Sequence, residues 1–135
     1  MRIFDTRSRK KRELVTIEEG KVGRYACGIT PYSPSHSGHA RQAISFDIIV
    51  RWLRKCGFEV SYITNFTDVD DKIIAAANEE GVDFLEVANR NIADYFESMD
   101  SLNVIRADAY PRVTETIPEI IEMIETLIDK GYAYQ

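Results

Sequence analysis

The run Cys27-Gly28-Ile29-Thr30-Pro31-Tyr32-Ser33-Pro34-Ser35-His36-Ser37-Gly38-His39-Ala40-Arg41 holds the densest chemistry of the chain. Cys27 is a soft metal ligand. Gly38 has no Cβ, so a flat ligand such as a nucleobase can lie against its backbone. A helix starting near His39 would point free N–H groups at an anion. His36 and His39 can each donate a hydrogen bond to a phosphoryl oxygen whose charge grows in a transition state, which is electrostatic catalysis and needs no unusual pKa. Together these residues outline a phosphate-handling site. Taken singly, each has a plainer reading: paired loop histidines are ordinarily solvated surface, and a lone cysteine is an inert small core residue. The order in which they occur, between a strand and a helix, favours the site.

The positioning elements follow from hydrophobic period. Val22 to Cys27 reads as a short strand. Ala40 to Lys55 reads as a helix whose Ala43, Ile44, Val50 and Leu53 cover a sheet. Glu59 to Thr64 alternates as a second strand. A βαβ unit of this kind places ligands at the carboxyl ends of its strands, where the Cys27 loop and the Asn65 to Asp71 loop emerge. Asp68, Asp70 and Asp71 suit a hard-metal site, but acids at a helix start are more simply dipole partners and caps, which is the reading preferred.

Two further helices carry their own start signals. Asp83 with Glu86 precedes a face of Phe84, Ala88, Ile92, Tyr95, Met99 and Leu102. Thr116 with Glu119 precedes Ile117, Ile120, Ile121, Ile124, Leu127 and Ile128, and Lys130-Gly131 is a helix stop. Both stripes are assigned to core packing. Tyr132 to Gln135 reads as the start of another strand, which marks the chain as incomplete.

Composition sets outer limits. A chain of 135 residues, 44% hydrophobic, supports one domain with a core. Charged residues interrupt every apolar run, so no membrane role is expected. Two cysteines, Cys27 and Cys56, exclude a disulfide framework and favour a reducing, cytoplasmic setting. Residues 1–65 carry 12 Lys/Arg against 6 Asp/Glu, and residues 66–135 carry 5 against 16, so the phosphate-facing half is the basic one. Arg9-Lys10-Lys11-Arg12 suits nucleic-acid contact, but such a run is more often a solvated turn, and it is read as one.

The sequence resembles the amino-terminal part of the cysteinyl-tRNA synthetases, class I aminoacyl-tRNA synthetases. The resemblance is carried by Cys27-Gly28-Ile29-Thr30, by His36-Ser37-Gly38-His39-Ala40-Arg41, by Asn65-Phe66-Thr67-Asp68-Val69-Asp70-Asp71-Lys72-Ile73-Ile74, and by Tyr110-Pro111-Arg112-Val113-Thr114-Glu115 ahead of Ile117-Pro118-Glu119-Ile120-Ile121. It implies an α/β, Rossmann-like parallel sheet with flanking helices, with residues 1–135 forming the first half of a class I catalytic domain. It also implies that cysteine and ATP, with Mg, form cysteinyl-adenylate, and that the cysteinyl group passes to tRNA(Cys). By position, Cys27 matches a zinc ligand, with the other ligands and a lysine-rich loop in a missing carboxyl-terminal portion or complementary chain. Zinc binding the substrate's sulfur would reject serine. Gly28 and Thr67 match the amino-acid pocket, His36, Gly38 and His39 match the ATP signature, and Thr30 counts with them among the residues binding substrate or ATP. Ser37 and Ser33 depart from the residues usual there. This chain alone is expected to be inactive.

Two alternatives stand beside that reading. Ile29-Thr30-Pro31-Tyr32 resembles the cysteine ligase of mycothiol biosynthesis, a synthetase relative using the same cysteine, ATP and zinc. A non-catalytic module binding nucleotide or tRNA is the other, and the DNA downstream of the reading frame would separate it from an enzyme.

Overall fold

The computed structural model describes residues 1–134. Its centre is the expected βαβ unit, extended at nearly every boundary. Strand β3 (Lys21–Ile29) lies parallel to β4 (Glu59–Phe66), and helix α1 (Ser37–Lys55) connects them. The register runs from Lys21 opposite Glu59 to Ala26 opposite Thr64, then shifts so that Ile29 faces Phe66. The shift is a bulge, which bends the strand just where the loop to α1 departs.

Ahead of this unit stands a hairpin that the sequence pattern did not announce. Strands β1 (Arg2–Asp5) and β2 (Lys10–Glu13) pair antiparallel, with Asp5 opposite Lys10. The Asp5 carboxylate accepts the backbone N–H groups of Arg7 and Ser8, and Arg9 turns the chain at φ 55°. Of the run read as a solvated turn, Arg9 does lie in the turn, whereas Lys10, Lys11 and Arg12 belong to β2.

One core layer lies between the β3–β4 sheet and α1. Ala26, Val60 and Tyr62 meet Val50 and Leu53. Ala43, Val50 and Leu53 cover the sheet as expected, but Ile44 does not. One residue along an α-helix is a rotation of about 100°, which turns Ile44 to the exposed side with Ile48. Asp47 takes the vacated inward position, where it accepts bonds from Arg51 Nε at 2.8 and 2.9 Å and from the Ile105 N–H at 2.9 Å.

A third segment runs alongside β4 without forming a regular strand. Asp108 N–H donates to the Tyr62 carbonyl, Phe66 N–H to the Pro111 carbonyl, and Val113 N–H to that of Phe66. Single parallel bridges join Ile63 to Ala109 and Phe66 to Arg112.

Helices α2 (Asp71–Glu80) and α3 (Phe84–Ser101) pack through Ile73, Ala77, Val87 and Ala88. Gly81, at φ 71°, closes α2, a backbone state that suits glycine. Asp83 caps α3 as expected, accepting the Leu85 N–H at 2.8 Å. Of the stripe on α3, Ala88, Ile92 and Met99 are buried, and Leu102 is exposed at the helix end.

Helix α4 (Ile117–Asp129) departs from expectation twice. Thr116 occupies the cap position, but its hydroxyl donates backward to the carbonyls of Arg112 and Val113 and gives no side-chain cap. Its apolar stripe is not core packing among the described residues, since no residue of α4 is buried. Residues 132–134 form no strand, and Gln135 lies outside the described residues.

Candidate functional site

From the end of β3 the loop runs to His36 and the start of α1, and Cys27, Gly28 and Thr67 lie at the carboxyl ends of β3 and β4. Gly28 is required there by contact. A Cβ on it would lie 1.5 Å from the Asn65 carbonyl oxygen and 3.1 Å from Thr64 Oγ1. Only a residue without a side chain lets the two backbones meet at the bulge. The Gly28 N–H donates to Asn65 Oδ1 at 2.9 Å, and Asn65 Nδ2 points to Thr67 Oγ1 at 3.4 Å. Thr67 N–H in turn donates to the Ile29 carbonyl at 3.0 Å. Asn65 thereby fixes Gly28 and Thr67 relative to one another.

Behind them sits an aromatic cluster. Phe66 stacks on Tyr110 with ring centres 5.3 Å apart, and it meets Tyr95 and Phe96 edge-on. Burial raises the Tyr95 hydroxyl's pKa to about 12, so it stays protonated and neutral beneath the site.

The loop from Thr30 to His36 is held by α3. Asn91 Nδ2 donates to the carbonyls of Pro31 and Val87 at 3.2 and 3.0 Å. Asp94 accepts the Ser35 N–H at 2.7 Å. Thr30 is half-buried at the loop's start, its carbonyl accepting the Tyr32 N–H.

His36 and His39 stack face to face, with ring centres 3.9 Å apart and an interplanar angle of 22°. His36 is the N-cap of α1, and its Nδ1 accepts the Gly38 N–H at 3.1 Å. An accepting Nδ1 puts the proton of the neutral ring on Nε2, leaving an N–H donor for a ligand. Gly38 is needed for this fold-back, because a Cβ there would lie 2.8 Å from His36 Cε1. Burial lowers the pKa of His39, and the neighbouring His36 lowers it further. Both effects favour the neutral form of the His39 ring.

Two expectations are corrected at this helix start. It begins at Ser37 rather than near His39, and it does not present a row of free donors. The Gly38 N–H is taken by the His36 ring, and those of His39 and Ala40 bond the His36 carbonyl. The histidine side chains, rather than the helix backbone, are what this end offers an anion.

The acids after β4 divide by role. Asp70 caps α2, accepting the Lys72 N–H at 2.9 Å, and Asp71 stands in the first turn. Asp68 is no cap. It is completely buried, accepting the Thr114 N–H at 3.0 Å and its hydroxyl at 2.6 Å, with Arg112 3.9 Å away. It clamps the 112–114 segment onto the end of β4.

Cys27 is free and exposed, its carbonyl accepting Gln42 Nε2 at 2.8 Å. Among the described residues no three His, Cys, Asp or Glu side chains gather to hold a metal. Cys27 by itself does not make a zinc site. A cavity of about 470 Å³ opens elsewhere, at the amino ends of the strands between Leu14–Glu18 and Lys21, Gly23, Glu59 and Ser61. None of the candidate site residues lines it.

Sequence reasoning assigned no role to Asn65, Gln42, Asn91 or Asp94. Asn65 sat inside a quoted motif, but the others hold the site from positions 15 to 60 residues away, and local pattern carries no signal of such pairings.

A parallel βαβ unit with a loop leaving the carboxyl end of its first strand defines an α/β class of fold. The family of class I (C) tRNA synthetase catalytic domains matches residues 13–135, and the chain belongs to it. It is 52% identical over 135 residues to the cysteine–tRNA ligase of Thermodesulfovibrio yellowstonii, covering 100% of this chain and 28% of that protein. The cysteine–tRNA ligase of Bacillus licheniformis is 53% identical over 133 residues, 98% of this chain and 28% of its own length. Among solved structures, Mycobacterium tuberculosis methionyl-tRNA synthetase in complex with methionyl-adenylate superposes with a TM-score of 0.62 at 28% identity. That match covers 68% of this chain and 18% of the other. The chain thus spans little more than a quarter of the length of these curated relatives.

Proposed function

We propose that this chain is the amino-terminal part of the catalytic domain of a cytoplasmic cysteine–tRNA ligase. In the complete enzyme, cysteine and MgATP form cysteinyl-adenylate and release pyrophosphate, and the cysteinyl group then passes to tRNA(Cys). The observation that carries this reading is the stacked His36–His39 pair at the start of α1, the helix that Gln42 ties to the Cys27 carbonyl next to the Gly28–Asn65–Thr67 junction. Adenylation needs charge stabilised on a phosphoryl group next to a held amino acid, and the two clusters supply donors for the first and a pocket for the second. The His36 Nε2–H donates to a phosphate oxygen, while the neutral His39 ring supports His36 without adding a cation. Gly28 and Thr67 line the amino-acid pocket, with Thr30 at its rim and Gly38 under the nucleotide. Cys27 is proposed as one zinc ligand of the longer enzyme. This chain's residues do not complete that site, and no step is routed through it.

The test is a chimera in which this chain replaces the matching segment of the Thermodesulfovibrio yellowstonii cysteine–tRNA ligase. It should catalyse cysteine-dependent ATP–pyrophosphate exchange and ignore serine. His39→Ala should lower the exchange rate about a hundredfold or more while changing the KM for ATP less. A folded chimera without exchange would show the reading to be wrong.

A further inference from the structure

The β1–β2 hairpin carries a charge balance opposite to that of the rest of the chain. Residues 1–13 carry six Lys/Arg against two Asp/Glu, whereas the rest of the chain carries 11 against 20. Both carboxylates are engaged within the hairpin. Asp5 binds the turn and lies 3.8 Å from Arg12, and Glu13 lies 3.6 Å from the terminal amino group. The remaining cations project from an ordered scaffold rather than a loose tail. Residues directly opposite in an antiparallel pair share a face. Arg2 opposite Glu13 and Phe4 opposite Lys11 therefore place Phe4 beside two cations. The Phe4 ring is 62% exposed, and Arg2 is steadied by a bond from its guanidinium to the Lys11 carbonyl at 2.9 Å.

An open aromatic ring flanked by cations on a two-stranded ribbon matches the two needs of an RNA strand, charge for the phosphates and a flat surface for an unpaired base. We propose that the β1–β2 hairpin is an RNA-contact surface, with Arg2 and Lys11 on the face of Phe4 and Arg7 in the turn on phosphates, and Phe4 stacked on a base. The choice of RNA over another polyanion rests on the tRNA-ligase reading. The ring is what separates the two, since a polyanion without bases gives it nothing to stack on. Phe4 is not among the residues packed in the core clusters, so substitutions in the hairpin leave the βαβ unit intact.

The experiment is titration of the purified chain with a tRNA transcript at several salt concentrations. Replacing Arg2, Arg7 and Lys11 together by Gln should weaken binding on the order of tenfold or more and flatten the salt dependence, roughly 0.7 log unit per lost phosphate contact. Phe4→Ala should weaken binding about fivefold or more with the salt dependence kept. Unchanged affinity in either variant overturns the proposal, as does equal affinity for heparin at matched charge. Cysteine-dependent exchange by the chimera needs no RNA, so the same substitutions should leave it intact. Failure of that exchange in the parent chimera would count against the proposed function, and the titration would still judge the hairpin.

Discussion

Helices α1 and α4 show the same kind of apolar stripe and meet different fates. The inward side of α1, through Ala43, Asp47, Val50 and Leu53, is buried on the β3–β4 sheet. On α4, Ile120, Ile121, Ile124 and Leu127 remain exposed, as does every other residue of that helix. A helical period states that a face seeks cover, but it does not say where the cover lies. Where a sheet stands opposite, the stripe becomes core. A helix of 13 residues with nothing buried depends on its local propensity, which is marginal in water.

The strongest way to break the α1-covered side is at its strand seam. Gly28→Ala should destabilise the chain by about 4 kcal/mol or prevent folding, because no rotamer change relieves a clash between two backbones. Urea denaturation measures it, and a near-native midpoint would mean that the strands can part without loss. A paired truncation then addresses the helices directly. Leu53→Ala should destabilise by about 3 kcal/mol through the cavity it leaves, while Ile124→Ala on α4 should stay within about 0.5 kcal/mol. Equal losses would show that α4 is packed after all.

Smaller still is the polar clamp that closes the sheet's far side. Asp68→Ala leaves the N–H and hydroxyl of Thr114 without their acceptor, and a loss of about 2 kcal/mol is expected by the same denaturation. Asp68→Asn retains an acceptor for one of these donors and should lose less. If both variants were as stable as the parent, the clamp would be irrelevant to folding.

The legibility of the chain follows the same division. The βαβ unit was readable because its strands and helix each bury one face, which imposes a period on the residues. The β1–β2 hairpin was not, since β2 is Lys10, Lys11, Arg12 and Glu13, exposed on both faces and free of alternation. The 107–113 segment was missed for a related reason, being held through backbone bonds and the Asp108 carboxylate on the Tyr62 N–H rather than by a repeating pattern. At the site, residue types flagged Gly28 and Thr67, which lie at neighbouring strand ends, and His36 and His39, which stack at the start of α1. Their supports, Asn91 and Asp94, lie 60 and 59 residues from the atoms they hold, and only the folded chain joins them.

The finest expected effect concerns the exposed start of α1, where His39 is held neutral by burial and by His36. An unfolded histidine titrates near 6.5. Above that pH the ring is neutral in both states and contributes no pH dependence. Below it the unfolded chain takes up a proton that the folded chain resists, so stability falls as pH drops from about 6.5 toward the lower folded pKa. His39→Gln removes this linkage without removing the helix. The parent's melting temperature should therefore fall more between pH 7.5 and 5.5 than that of the variant, by a small margin because the ring is only half-buried. Parallel profiles would mean that His39 is free to charge, and the neutral state favoured for its ring would have to be abandoned.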